Sequence, residues 1–120
     1  MRRTVVIALA LPLALLATGA AAAPEALSQA RRQALVRMVR NDCGACHGMH
    51  LTGGLGPALT PQALADKPIE GLVATIVVGR PGTPMPPWRA FLDEADARWI
   101  AEQLAHGFPE LQPQSRGAVR

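Results

Sequence analysis

The chain of 120 residues is long enough for one domain. Its 12 Lys and Arg against 9 Asp and Glu give a net charge of +3, but Arg2 and Arg3 sit in an N-terminal leader, and without them ten basic residues face nine acidic ones, a net of +1. Nucleic-acid binding needs a clustered basic face, which this balance does not offer, and with two Phe, two Trp and no Tyr for a core, so small a domain needs an additional staple.

The leader comes first. Arg2 and Arg3 form a positive start, Val5 to Leu16 is almost unbroken apolar sequence, and Ala17 to Ala23 is small throughout. That order is a secretory signal peptide, expected to span 1–22 with cleavage after Ala22, because a cut after Ala23 would put Pro24 at the scissile bond. The alternative is an uncleaved membrane anchor, since Val5 to Ala23 is about long enough to span a bilayer, though Pro12 and the small-residue end argue against it. The Arg pair lacks the rest of a twin-arginine signal.

The domain is expected over 23–107. A helical pattern runs from about Ala26 to Arg40, with Leu27, Ala30, Ala34, Leu35 and Met38 at three- and four-residue spacing and the intervening arginines facing water. The pattern stops at Asn41-Asp42. Gly53, Gly54, Gly56 and Pro57 make His50 to Thr60 a loop. Thr60 then caps a short helix that opens on Pro61 and runs to about Ala65. Pro68 to Val78 reads as a helix with Ile69, Leu72, Val73 and Ile76 on one face; Ile76-Val77-Val78 could be a strand, but no second strand is apparent to pair with it. Gly79 to Pro87 is a proline-rich loop. Asp93, with Asp96 three residues on, caps a last helix to about Ala105, with Trp99, Ile100 and Leu104 on its buried edge and Gly107 as its stop. A polar tail, 108–120, follows. Arg31, Arg32, Arg37 and Arg40 lie early and Asp93, Glu94, Asp96 and Glu102 late, which reads as two solvated helix faces.

Between the first helix and the glycine loop stands Cys43-Gly44-Ala45-Cys46-His47. C-x-x-C-H is the attachment pattern of a c-type haem: two thiols form thioethers to the haem vinyl groups, and the next residue is held under the iron. The alternatives are one disulfide, a C-x-x-C redox site, which belongs in a strand-bearing setting, and a zinc site, for which ligands at the right spacing are lacking. His47 has no necessary role in a disulfide and a specific one beside haem. Its second ring nitrogen needs an acceptor to fix tautomer and orientation, and the carbonyl of Pro57 is the expected one.

A sixth ligand must be soft and far enough along the chain to reach the opposite haem face. Met85 fits, in Gly82-Thr83-Pro84-Met85-Pro86-Pro87-Trp88, where flanking prolines place the thioether at small entropic cost. Core filling explains Met38 well and Met85 poorly, because a proline loop is an odd place for a core methionine. Met49 and His50 are too close to His47 to pass round a haem, and His106, a rival ligand, stands at a helix end where solvation is the commoner fate. Trp88 packs either against haem or in ordinary core, and Arg80 either pairs with a propionate or stays at the surface.

Taken together, Cys43 to Gly48, Gly56-Pro57-Ala58-Leu59, Gly79-Arg80 leading to Met85-Pro86, and the closing helix from Leu92 to Leu104 resemble class I cytochromes c. The resemblance implies an all-α fold in which N- and C-terminal helices cross and one covalent haem c is enclosed. It also implies Cys43 and Cys46 as thioether sites, His47 and Met85 as axial ligands to iron, and Pro57 as the acceptor for His47. Val39 to Gly48 and Gly79 to Trp88 are further similar to the cytochrome c55X group of denitrifying bacteria. That likeness implies a periplasmic monomer that carries electrons to the haem-c/haem-d nitrite reductase, or an accessory in maturing its special haem. With both axial positions filled, the expected protein is a single-electron carrier and not an enzyme; a small haem peroxidase would need Met85 absent or labile.

Overall fold

The structure is a computed structural model that describes residues 26–111; the expected leader 1–22 and the end of the tail lie outside them. Five α-helices follow one another: α1 (Gln29–Met38), α2 (Gly44–His47), α3 (Pro61–Leu64), α4 (Ile69–Val78) and α5 (Glu94–His106), with a π-helical turn, Val39–Cys43, joining α1 to α2. There is no strand among the described residues, so Ile76-Val77-Val78 is helical. No described helix is long and apolar enough to cross a membrane.

Local chemistry sets most ends. Thr60 accepts a hydrogen bond from the Ala63 N–H (3.3 Å) with Pro61 in the first turn of α3. Asp93 and Asp96 form a reciprocal capping box at α5, whose last turn gives way to Gly107 at φ +106°. Two boundaries differ from the sequence expectation. The first helix starts at Gln29, not Ala26, because the Ser28 side chain accepts from the Arg31 N–H (3.1 Å) and caps it there. It also does not stop at Asn41-Asp42: the backbone stays helical through the wider π turn and straight into the C-x-x-C-H segment.

One core gathers Leu35 and Val39 from the first helical run, Leu51 from the glycine loop, Leu64 from α3, and Leu92, Ile100 and Leu104 from the last run. Each such side chain contributes about 1.5–3 kcal/mol by leaving water. Val73 of α4 packs separately on Ala97 and Ala101 of α5. Arg98 adds a bidentate link from α5 to Glu70 of α4 (2.6 and 2.9 Å). The two ends of the described chain are joined by charge as well as packing: Arg31 Nε donates to Asp96 Oδ1 (3.0 Å), Arg31 Nη2 donates to Asp96 Oδ2, and the same Nη2 donates to the carbonyl of Phe91 (3.2 Å).

Three expectations about burial need correction. Arg32 and Arg37 are exposed, but Arg40 is only 5% exposed, because the π turn carries it inward onto carbonyl acceptors. Asp96, read as part of a solvated acidic face, is buried under Arg31. Phe91, counted among the large core residues, is 65% exposed, with its ring against Trp88 at 6.1 Å. Trp99 and Phe108 are half-buried and meet edge to face at 6.1 Å.

Candidate functional site

Cys43 ends the π turn, and Gly44 to His47 form the single helical turn after it. Both thiols are free. Cys43 is half-buried against the main core, whereas Cys46 is exposed. Burial, aided by the neighbouring charge of Asp42, pushes the Cys43 thiol up to about 11. A redox C-x-x-C site works through a thiolate of depressed pKa, so this environment is wrong for one.

His47 is fixed by the loop that follows. Its Nδ1 lies 2.7 Å from the carbonyl oxygen of Pro57, which can only accept, so the proton sits on Nδ1 and the lone pair on Nε2 is left available. The loop is stitched to the attachment segment by backbone bonds: Gly53 N–H to His47 O (2.8 Å), Gly56 N–H to Cys46 O (2.8 Å) and Leu51 N–H to Gly48 O (2.8 Å). Gly56 is required by contact: a Cβ there would stand 2.9 Å from both Cε1 and Nδ1 of the imidazole. Leu51 adopts φ +60°, a left-handed conformation that costs a non-glycine residue about 1 kcal/mol, and its buried side chain offsets this.

Met85, Trp88 and Arg80 share a second loop, built on the end of α4. Gly79 closes that helix at φ +72°, and a Cβ on it would come within 2.6 Å of Pro86 C and Pro87 N, so the returning chain lies directly on it. The Arg80 N–H donates to Met85 O (3.2 Å), and Thr83 Oγ1 accepts from the Met85 N–H (3.3 Å). Downstream, the Trp88 and Arg89 N–H groups donate to the carbonyls of Ile76 (3.1 Å) and Val77 (3.3 Å). Met85 and Trp88 are half-buried and Arg80 is exposed. Trp88 packs on the same core as Cys43. His106, the rival ligand, is exposed and donates from Nδ1 to the Glu102 carbonyl (2.7 Å) of its own helix.

The sequence reading missed Arg40. Its Nη1 donates to Met49 O (3.2 Å), its Nε to Pro109 O (3.0 Å), and its Nη2 to Phe108 O (2.8 Å), Pro109 O (2.8 Å) and the Glu110 carboxylate (3.1 Å), with the Phe108 ring 5.6 Å away. The only signal in the chain is that Arg40 directly follows Val39 at the end of the apolar stripe, and an arginine there normally reaches solvent.

Helices from the two ends of the chain meeting beside a C-x-x-C-H turn make this a class I cytochrome c fold. The model of the family described as cytochrome c oxidase, cbb3-type, subunit III matches residues 30–103, and the chain belongs to the c-type cytochromes. Within that family it is similar to cytochrome c55X of Pseudomonas aeruginosa, with 59% identity over 85 residues, 70% of either chain. It is also similar to cytochrome c55X of Paracoccus denitrificans, with 52% identity over 96 residues, 80% of this chain and 91% of that one. Among solved structures, the c-type cytochrome NirC matches with a TM-score of 0.67 at 52% identity, over 72% of this chain and 100% of the other. The dihydro-heme d1 dehydrogenase NirN in complex with DHE matches with a TM-score of 0.55 at 35% identity, over 65% of this chain but 17% of NirN.

Membership of this family implies covalently bound haem c. The residues present fit it. Two free thiols stand at and within one helical turn, the imidazole is oriented through Nδ1 with Nε2 spare, and a glycine stands where a side chain would displace the ring.

Proposed function

We propose that this chain is a periplasmic monohaem cytochrome that carries single electrons, with the haem-c/haem-d nitrite reductase as its partner. Cys43 and Cys46 would be the thioether sites, each thiol adding across a vinyl double bond, sulfur to one carbon and hydrogen to the other, so that attachment would consume no oxidant. His47 Nε2 and Met85 Sδ would hold the iron, Trp88 would cover the haem near Met85, and Arg80 would pair with a propionate. The haem, once bound, supplies a ferrous/ferric couple that a methionine ligand and an apolar enclosure bias to higher potential. The chain itself binds, orients and shields, and offers no open coordination position to a substrate.

The observation that carries this reading is the His47 arrangement, in which the Pro57 carbonyl engages Nδ1 and the bare Gly56 gives the ring room, leaving Nε2 with no hydrogen-bond partner among the described residues. Similarity to cytochrome c55X supports the link to denitrification. The test is made on protein from cells competent in cytochrome maturation. Haem should stay with the chain under denaturing conditions and be lost when Cys43→Ala and Cys46→Ala are combined. Met85→Ala should remove the weak long-wavelength ferric band of methionine–iron ligation while leaving haem attached. Colourless wild-type protein refutes the reading; a surviving band refutes Met85.

A second reading has one specific support. The match to part of a dihydro-heme d1 dehydrogenase suggests a carrier serving the enzymes that make the reductase's special haem. Deleting the gene separates the two. If the reductase assembles with its full haem complement but loses electron supply, the accessory role fails; if it accumulates without its special haem, the donor role fails.

A further inference from the structure

We infer that Arg40 is a positioning residue of the haem-attachment segment and that its buried charge favours the reduced state of the centre. The inference rests on the haem reading above. Arg40 lies in the π-helical turn, three residues before Cys43, and its Nη1 holds the carbonyl of Met49, two residues after His47. One guanidinium therefore grips both ends of the segment that bears the two thiols and the imidazole. Its Nε and Nη2 hold the carbonyls of Phe108 and Pro109, which follow α5. Phe108 lies 5.6 Å from the guanidinium carbon and stacks edge to face on Trp99 of α5, so the segment is braced against the last helix through Arg40.

The electrostatics follow from the burial. The guanidinium is 5% exposed and meets four carbonyl contacts from three residues, which engage all three of its nitrogens without cancelling its charge. Its one carboxylate partner among the described residues, Glu110, is 77% exposed, where water screens it. The result is a buried positive charge hydrogen-bonded directly to the attachment segment, set against the water-screened carboxylates of Glu110 and the exposed Asp42. Adding an electron to a nearby centre is favoured by such a charge and removing it is opposed.

The test is the reduction potential of covalently loaded holoprotein for Arg40→Gln, Arg40→Lys and Glu110→Gln, with thermal unfolding in parallel. Arg40→Gln keeps a polar head without charge and should shift the ferrous-to-ferric ratio at fixed poise three- to tenfold toward ferric, which at 59 mV per tenfold is about 30–60 mV. Arg40→Lys keeps the charge but loses the planar fork, so its potential should stay within about twofold of wild type, about 18 mV, while its unfolding temperature falls. Glu110→Gln strips the screening partner and should move the ratio the other way, by up to about twofold. A brace with no electrostatic role would lower stability in both Arg40 variants and shift their potentials alike. Equal potentials for Arg40→Gln and Arg40→Lys, or a Glu110→Gln shift toward ferric, overturn the inference. If neither Arg40 variant yields holoprotein, Glu110→Gln decides alone: a ratio unchanged or moved toward ferrous is expected, and a shift toward ferric overturns the charge claim. Wild-type protein without covalent haem would instead refute the underlying haem reading.

Discussion

The two loops that carry the candidate iron ligands are built in opposite ways. Around His47, three backbone hydrogen bonds, the Pro57 carbonyl and the Arg40 clasp all converge on a few residues, and the backbone accepts a left-handed Leu51 to keep them there. Around Met85 the chain is mostly exposed and stiffened by prolines, and its ties are short-range: Arg80, Thr83 and Met85 bond one another within the loop, and Trp88 and Arg89 bond the end of α4 downstream. The first region is held partly from afar, through Arg40; the second is held by itself and by the end of α4. A soft ligand on an exposed loop tied to its own neighbours is the side that should yield first under stress, while the covalent side stays.

The sharpest way to break that contrast is Gly56→Val. Its Cβ would sit 2.9 Å from the imidazole, so the ring must leave its Pro57 acceptor, and the expected result is near-total loss of holoprotein, read by haem staining and absorbance. Gly79→Ala attacks the other loop. A Cβ 2.6 Å from Pro86 C, on a backbone with φ +72°, should displace Met85 and erase the long-wavelength ferric band while covalent haem remains. If both substitutions released haem equally, the two loops would not differ as described.

A smaller effect tests the link between the two ends of the described chain. Arg31 bonds Asp96 and the Phe91 carbonyl together, and the hydrogen bond from Arg31 holds the Asp96 carboxyl below its usual range against the opposing cost of burial. A carboxyl whose folded pKa is depressed stabilises the fold above its unfolded pKa, and this stability is lost as the pH falls through the folded value. Denaturant midpoints should therefore fall on acidification below about pH 4, the ordinary carboxylate range. Asp96→Asn should cost about 1–2 kcal/mol at neutral pH, since Arg31 is partly exposed, and flatten that acid limb. A variant with an unaltered acid limb would remove Asp96 from the account. The smallest effect is expected at Leu55, which lies between Gly54 and Gly56 yet is 94% exposed; Leu55→Ser should leave the unfolding free energy within about 0.5 kcal/mol of wild type.

What could be read from the chain follows the range of the interactions concerned. The caps at Thr60 and Asp93 act within three residues, so their residue types alone place α3 and α5. The acceptor for His47 was also readable, because a proline carbonyl in a loop is free of helix or sheet partners. Arg40 was not. Its acceptors are Met49, nine residues on, and Phe108 and Pro109, nearly seventy residues on, and nothing local to Val39-Arg40-Asn41 announces them. The same holds for Asp96, whose cap role is local but whose burial depends on an arginine in the opposite helix. Phe91 misled because aromatic character predicts burial only on average, and here the turn after Trp88 points its ring outward.

The π-helical turn at Val39–Cys43 has a geometric consequence. Each residue of an ordinary α-helix advances the azimuth by about 100°. Winding the same five residues as regular α-helix would swing both sulfurs and the imidazole round the axis by roughly that angle relative to Leu35, which stays planted in the interior. The wide turn is thus an angular gear, letting one continuous rod show grease to the protein and reactive groups to the prosthetic group at a phase that uniform winding would not give.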